Sequence, residues 1–155
     1  MREKWLLLER SVQDDLETID RLYEALDEPR LDGTEPEETR IVAAYRLHNL
    51  YTAFENIFRN IAAGFENRLE ERSGWHRELL RRMRLDLMPV RPALIDRNAY
   101  DALDEMLRFR HLFRAAYGVS FDPSRLQLVL EKALELRRLY RPQIERFLQF
   151  IATLE

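Results

Sequence analysis

Apolar residues recur at spacings of three and four along almost the whole chain, and no stretch of strict alternation competes with them. Trp5, Leu8, Val12, Leu16, Ile19, Leu22 and Leu26 form one stripe through about six helical turns. Pro29 and the run Leu31-Asp32-Gly33-Thr34 end that pattern and open a loop. Pro36 suits a first helical turn, with Glu37 and Glu38 beside the positive end of the helix dipole, and the next helix is expected to run to Arg72. It carries two apolar faces. Ala44, His48, Tyr51, Glu55, Phe58, Ala62 and Phe65 line one, and Leu47, Leu50, Phe54, Ile57 and Ile61 the other. A helix covered on two sides is the central one.

Ser73-Gly74 interrupts the pattern, and Trp75 to Leu87 reads as a shorter, arginine-rich helix. Pro89 and Pro92 make the following connection extended. Asp96 suits the N-cap of a fourth helix that runs to Tyr117 and stops at Gly118, a natural residue just past a helix end. Asp122-Pro123 is a second N-cap and first-turn pair. The last helix carries Leu126, Val129, Leu130, Ala133, Leu134, Tyr140, Ile144, Phe147, Leu148 and Ile151, with Pro142 expected to kink or break it. The reading is an all-α, antiparallel four- to five-helix bundle in one domain spanning residues 1–155.

Composition narrows the function classes. Hydrophobic residues make up 46% and charged residues 34% of 155, with four glycines, which excludes disordered and collagen-like chains. No apolar run approaches the roughly 18–20 residues that span a bilayer. Trp5-Leu6-Leu7-Leu8 is bracketed by charges and too short for a signal-peptide core, so a cytoplasmic protein without membrane partners is expected. The absence of cysteine removes disulfides and thiolate sites. The net charge of −3 hides an asymmetry: residues 1–40 hold 13 acidic and 6 basic side chains, the remainder 15 and 19. All but Lys4 and Lys132 of the basic residues are arginine, whose planar five-donor fork suits phosphate.

The chain has no glycine-rich phosphate loop, no HExxH and no calcium loop. His48, His76 and His111 lie far apart, so neither a metal site nor a cofactor is expected. Residues 108–117 stand out: Arg108, Arg110, His111, Arg114 and Tyr117 crowd one helix end. Arg110, Arg114 and Tyr117 follow i, i+4, i+7 and share a face, while Phe109, Leu112, Phe113 and Ala116 supply a buried side. Two readings stand. The cationic face holds a phosphodiester, or the cations complement the negative end of the helix dipole.

The segment resembles the signature of HEPN-family ribonuclease toxins of the HepT type, Arg-x4-His-x-Tyr. In the branch it resembles, the signature reads Arg-His-x-x-Arg-His-x-Tyr, then Gly and an apolar-Asp pair. Here the corresponding residues are Arg110, His111, Arg114, Ala115 and Tyr117, then Gly118 and Phe121-Asp122. The resemblance extends to Tyr51-Thr52-Ala53-Phe54-Glu55-Asn56-Ile57, to Trp75-His76-Arg77-Glu78-Leu79-Leu80 and to Arg91-Pro92, in order along the chain. One position departs. Ala115 stands where the family has its catalytic histidine, and a methyl group exchanges no proton. Either a His→Ala substitution was introduced to disarm a toxin, or the chain has given up catalysis for binding.

What the resemblance implies is metal-independent RNA cleavage, with a histidine at 115 moving protons near its ordinary pKa of about 6.5. Arg110 would stabilise the phosphoryl oxygens, Tyr117 would position the phosphate, and His111, Arg114 and Arg108 would bind RNA. In a regular helix positions 110 and 115 point roughly 140° apart. Either the helix end distorts, or two copies of the motif meet across a dimer interface; the resemblance implies the second, a homodimer with its two-fold axis near Arg110, Arg114 and Tyr117. The implied partner is a nucleotidyltransferase antitoxin of the MNT type, which in some pairs transfers AMP to the motif tyrosine, here Tyr117. The alternative is a non-catalytic helical module that binds such a partner or nucleic acid.

The remaining candidates carry plainer readings. His48 reads as a hydrogen-bonded core residue and His76 as packing near a helix start, with catalysis as the other reading for each. Glu55 is either a buried acid that pairs with an arginine of the motif helix or a surface carboxylate. Arg77, Arg81, Arg82 and Arg84 are read as a solvated helix face, with an RNA track as the other reading.

Overall fold

The computed structural model describes residues 2–66, 70–115 and 121–155, with residues 114 and 115 described through their backbone alone. Its helices are α1 (Arg2–Ala25), α2 (Glu37–Phe65), α3 (Trp75–Met83), α4 (Arg97–Ala115) and α5 (Pro123–Ala152). Among the described residues there is no strand, only an isolated bridge between Leu87 and Arg91. The all-α reading therefore holds.

Side-chain pairs give the helix directions. Asn56 donates to Asp15, Asn60 to Ser11, and Phe65 stacks on Trp5, so α1 and α2 run antiparallel. Glu55 meets Arg110 and His48 meets Phe113, which makes α2 and α4 antiparallel. Arg125 pairs with Glu105 and Gln143 with Asp96, setting α5 against α4 in the same sense. Tyr140 and Arg141 of α5 both donate to Asp20 of α1. The four long helices thus form an up-down-up-down bundle, and α3 caps one flank.

The periodicity explains the packing. Leu8, Val12, Leu16 and Ile19 are buried in α1, as expected, together with Tyr23, whose hydroxyl donates to the Ala133 carbonyl at 2.8 Å. Both apolar faces of α2 are covered, and α2 packs against each of the other four helices. Each buried Leu, Ile or Phe contributes about 1.5–3 kcal/mol relative to exposure. That sum outweighs the weak helix propensity of residues such as Asn56 and Tyr51 on this helix.

Of the two N-caps read from the sequence, Asp96 makes its capping hydrogen bond. Asp96 Oδ1 accepts the Ala99 N–H at 2.9 Å and opens α4. Gly74 precedes α3 at φ 83°, a left-handed conformation that disfavours a side chain. Pro123 begins α5, although Asp122 makes no capping hydrogen bond there.

Two boundaries differ from expectation. α2 stops at Phe65 rather than Arg72, because Glu66 leaves helical geometry and its carboxylate accepts Arg91 Nη2 at 2.7 Å. α3 stops at Met83 rather than Leu87. Its last carbonyls are taken from outside the helix: Arg82 O by Arg91, and Met83 O by the Leu94 and Ile95 N–H groups. Pro142 does not break α5, which runs through it unbroken. The proline sits on the exposed face, where solvent can reach the carbonyl its missing N–H leaves free. The expected end of α4 at Tyr117-Gly118 lies outside the described residues.

Candidate functional site

Three helices bring three polar side chains to one place inside the bundle. Glu55 lies on the α2 face turned to α3 and α4, and only 4% of it is exposed. Arg110, in the last turns of α4, donates from Nη1 to Glu55 Oε1 at 3.0 Å. His76, the second residue of α3, sets Nδ1 2.7 Å from Glu55 Oε2. One carboxylate therefore holds an imidazole with one oxygen and a guanidinium with the other. Of the two readings of Glu55, the buried acid paired with a motif arginine is the observed one.

Rings enclose the cluster. The Arg110 guanidinium lies 5.7 Å from the Tyr51 ring centre, and Trp75 stacks on His76 at 3.7 Å. Burial, followed by the nearby Glu55 charge, pushes the Tyr51 phenol well above its ordinary pKa, so it stays neutral. His111 approaches His76 edge-on at 5.9 Å between ring centres. Arg110 Nε is buried without a partner among the described residues.

A groove of about 580 Å³ opens beside the cluster, with Glu55, His76 and Arg110 in its wall. Its far side is polar: Asp15 and Thr18 from α1, Thr52 and Asn56 from α2. Burial raises the Asp15 pKa, partly offset by hydrogen bonds from Asn56 and Asn60. Arg59 lies over the Trp75 ring at 5.1 Å and pairs with Glu71 at the groove edge. The arrangement can present a cation and an imidazole, both fixed by one acid, to a polar or anionic ligand. No three His, Asp or Glu side chains among the described residues are placed to hold a metal ion.

The other sequence candidates distribute as follows. His111 lies beside the cluster. Arg108 does not join it: it is exposed and pairs with Asp104 along its own helix at 3.0 Å. Arg114 and Ala115 belong to the last turn of α4, and Tyr117 lies outside the described residues. His48 stacks on Phe113 at 4.9 Å, away from the groove. Arg81 and Arg82 pair with Glu78, and Arg84 lies over Tyr100, in keeping with a charged helix surface.

Sequence reasoning placed His76 near a helix start rather than in the site, because α2 and α3 register only in the fold. It also missed Arg91, fully buried and bonded to Glu66 and to the carbonyls of Arg82, Leu85 and Pro92. The signal present was an Arg-Pro pair in a connection otherwise poor in charge.

The geometry defines a class: a helical bundle with an acid-clamped arginine at the end of its fourth helix, beside a polar groove. The family model described as HepT-like protein matches residues 42–151, which takes in α2 to α5 almost entirely and every member of the cluster. The chain belongs to the HepT-like family and is a HEPN-type, toxin-like protein. No curated protein and no solved structure matches it. No helix among the described residues is long and apolar enough to cross a membrane.

Proposed function

We propose that the chain is the toxin component of a HEPN/MNT toxin–antitoxin pair, an endoribonuclease fold that is silent as written because Ala115 occupies the position of the family histidine. The observation that carries this reading is Arg110. It is the first residue of the Arg-x4-Ala-x-Tyr segment, and it is fixed by Glu55 on a groove of a size suited to a nucleotide.

The chemistry follows from the groups. The RNA 2′-oxygen attacks the adjacent phosphorus, and the bond to the 5′-oxygen breaks. Negative charge grows on the phosphoryl oxygens, where the N–H donors of Arg110 stabilise it. A histidine at 115 moves a proton, a contribution of about 10²–10⁴-fold in rate, which Ala115 forfeits. Two chains would supply the motif to one cleft, since positions 110 and 115 diverge on one helix. AMP attached to Tyr117 by a nucleotidyltransferase partner would add a negative group that repels RNA and competes for Arg110.

The test is RNA cleavage in EDTA by the chain as written and by Ala115→His, with tRNA among the substrates. Cleavage only by the variant is expected. No cleavage by either, from folded protein, overturns the ribonuclease reading in favour of a binding module.

A further inference from the structure

His76 lies outside the motif helix, yet its ring is held in the site by contacts from three helices. Its Nδ1 lies 2.7 Å from Glu55 Oε2 and 3.3 Å from Arg110 Nη1. One nitrogen cannot serve both contacts. If Nδ1 carries a proton it donates to Glu55 and has no lone pair for Arg110. If it carries none, its lone pair faces a carboxylate oxygen at 2.7 Å. The shorter contact, to an anionic acceptor, decides the tautomer: Nδ1–H donates to Glu55. Nε2 is then the ring atom left to exchange a proton.

The ring is held in this pose. Trp75 covers one face at 3.7 Å, and the Glu55 carboxylate sets the rotation. The charged and titratable groups that face it are Glu55 from α2 and Arg110 and His111 from α4. The ring also lines the groove, with 15% of its side chain exposed. The cation that would bind the phosphate and the imidazole beside it share one carboxylate, so their spacing is set by a single group.

We propose that His76, oriented by Glu55, is a second proton-transfer group of the RNA-cleavage site and acts as the base toward the 2′-hydroxyl. This inference rests on the ribonuclease reading above. Transesterification moves two protons. As the 2′-oxygen bonds to phosphorus, its proton passes to His76 Nε2. As the bond from phosphorus to the 5′-oxygen breaks, that oxygen takes a proton from the imidazolium at position 115. The products are a 2′,3′-cyclic phosphate and a 5′-hydroxyl. Glu55 stabilises the imidazolium formed at His76, and no other reactant is needed.

The variant that tests this is His76→Asn, whose amide keeps a donor near Nδ1 for Glu55 and lacks a group equivalent to Nε2. In the Ala115→His background it is expected to lower kcat by about 10²–10³-fold and to remove the acidic limb of the kcat/KM profile, with KM little changed. Cleavage by Ala115→His alone, with His76→Asn leaving rate and both limbs intact, overturns the role of His76 and leaves the ribonuclease reading standing. If Ala115→His does not cleave, the ribonuclease reading falls, and the proton role of His76 falls with it. A second measurement uses the chain as written: nitrogen-15 NMR of His76 with a pool of 2′-O-methyl tetranucleotides. The expected result is a protonated Nδ1 throughout and an Nε2 resonance that moves on binding. An unprotonated Nδ1, or an Nε2 indifferent to saturating RNA, overturns it.

Discussion

Glu55 Oε1 accepts a hydrogen bond from Arg110 Nη1 at 3.0 Å, across 55 residues of chain, and both side chains are buried. An arginine on the apolar side of a helix is tolerated only with a compensating acid, because an isolated buried charge is expensive. Glu55→Ala strands that cation and is expected to destabilise the protein by about 3 kcal/mol or more. Urea denaturation measures it. A change below about 1 kcal/mol would mean that Arg110 reaches solvent without its partner.

Tyr51 carries the opposite expectation. Its ring is fully buried against Arg110, and its hydroxyl has no partner among the described residues. A buried unpaired hydroxyl costs about 1–3 kcal/mol, so Tyr51→Phe should raise the unfolding midpoint. A fall in stability would show that the hydroxyl is bonded in solution.

Arg91 ties the end of α2 to the end of α3. Its side chain is wholly enclosed, and it serves Glu66 and three backbone carbonyls. Arg91→Ala leaves all of these unmet and is expected to cost about 3–5 kcal/mol. For a chain of this length that corresponds to a Tm lower by about 10 °C, readable by thermal unfolding.

Asp15 gives the protein a pH dependence of defined sign. Burial raises its folded pKa above that of the unfolded chain, so the folded state binds the proton more readily. Ionised Asp15 therefore opposes folding at neutral pH, and the penalty fades as pH falls through the carboxylate range. Asp15→Asn should raise Tm slightly at pH 7, with the gain shrinking toward pH 4. Thermal scans across that range check it, and a gain that grows as pH falls would reverse the assignment.

Arg110→Lys separates charge from geometry. Lysine keeps the cation beside Glu55 but loses the planar fork. In the Ala115→His background, cleavage should fall by about 10²-fold while the fold persists, judged by circular dichroism and initial rates. Undiminished cleavage would mean that a point charge suffices.

The helices were legible because a period of 3.6 is a local property: the stripes of α1 and α5 and the double face of α2 can be read without knowing what covers them. The cap at Asp96 and the break at Gly74 were legible for the same reason, each acting within one turn. The early ends of α2 and α3 were not: Arg91, from a later connection, binds the Glu66 carboxylate just past α2 and the Arg82 carbonyl at the end of α3. Of the kink or break read for Pro142, the break is absent: the carbonyl its missing N–H leaves free lies on an exposed face, which only packing assigns.

The site divides in the same way. The sequence by itself determined the α-helical class, the crowding of Arg110, His111 and Arg114 at one helix end, and Ala115 at the position where the resembled signature has histidine. Only the tertiary structure decided that Glu55 is shared between Arg110 and His76. The physical reason is the range of the interactions. A helix face is set by neighbours three and four residues away, whereas a clamp of carboxylate, imidazole and guanidinium exists only once three separate helices have packed.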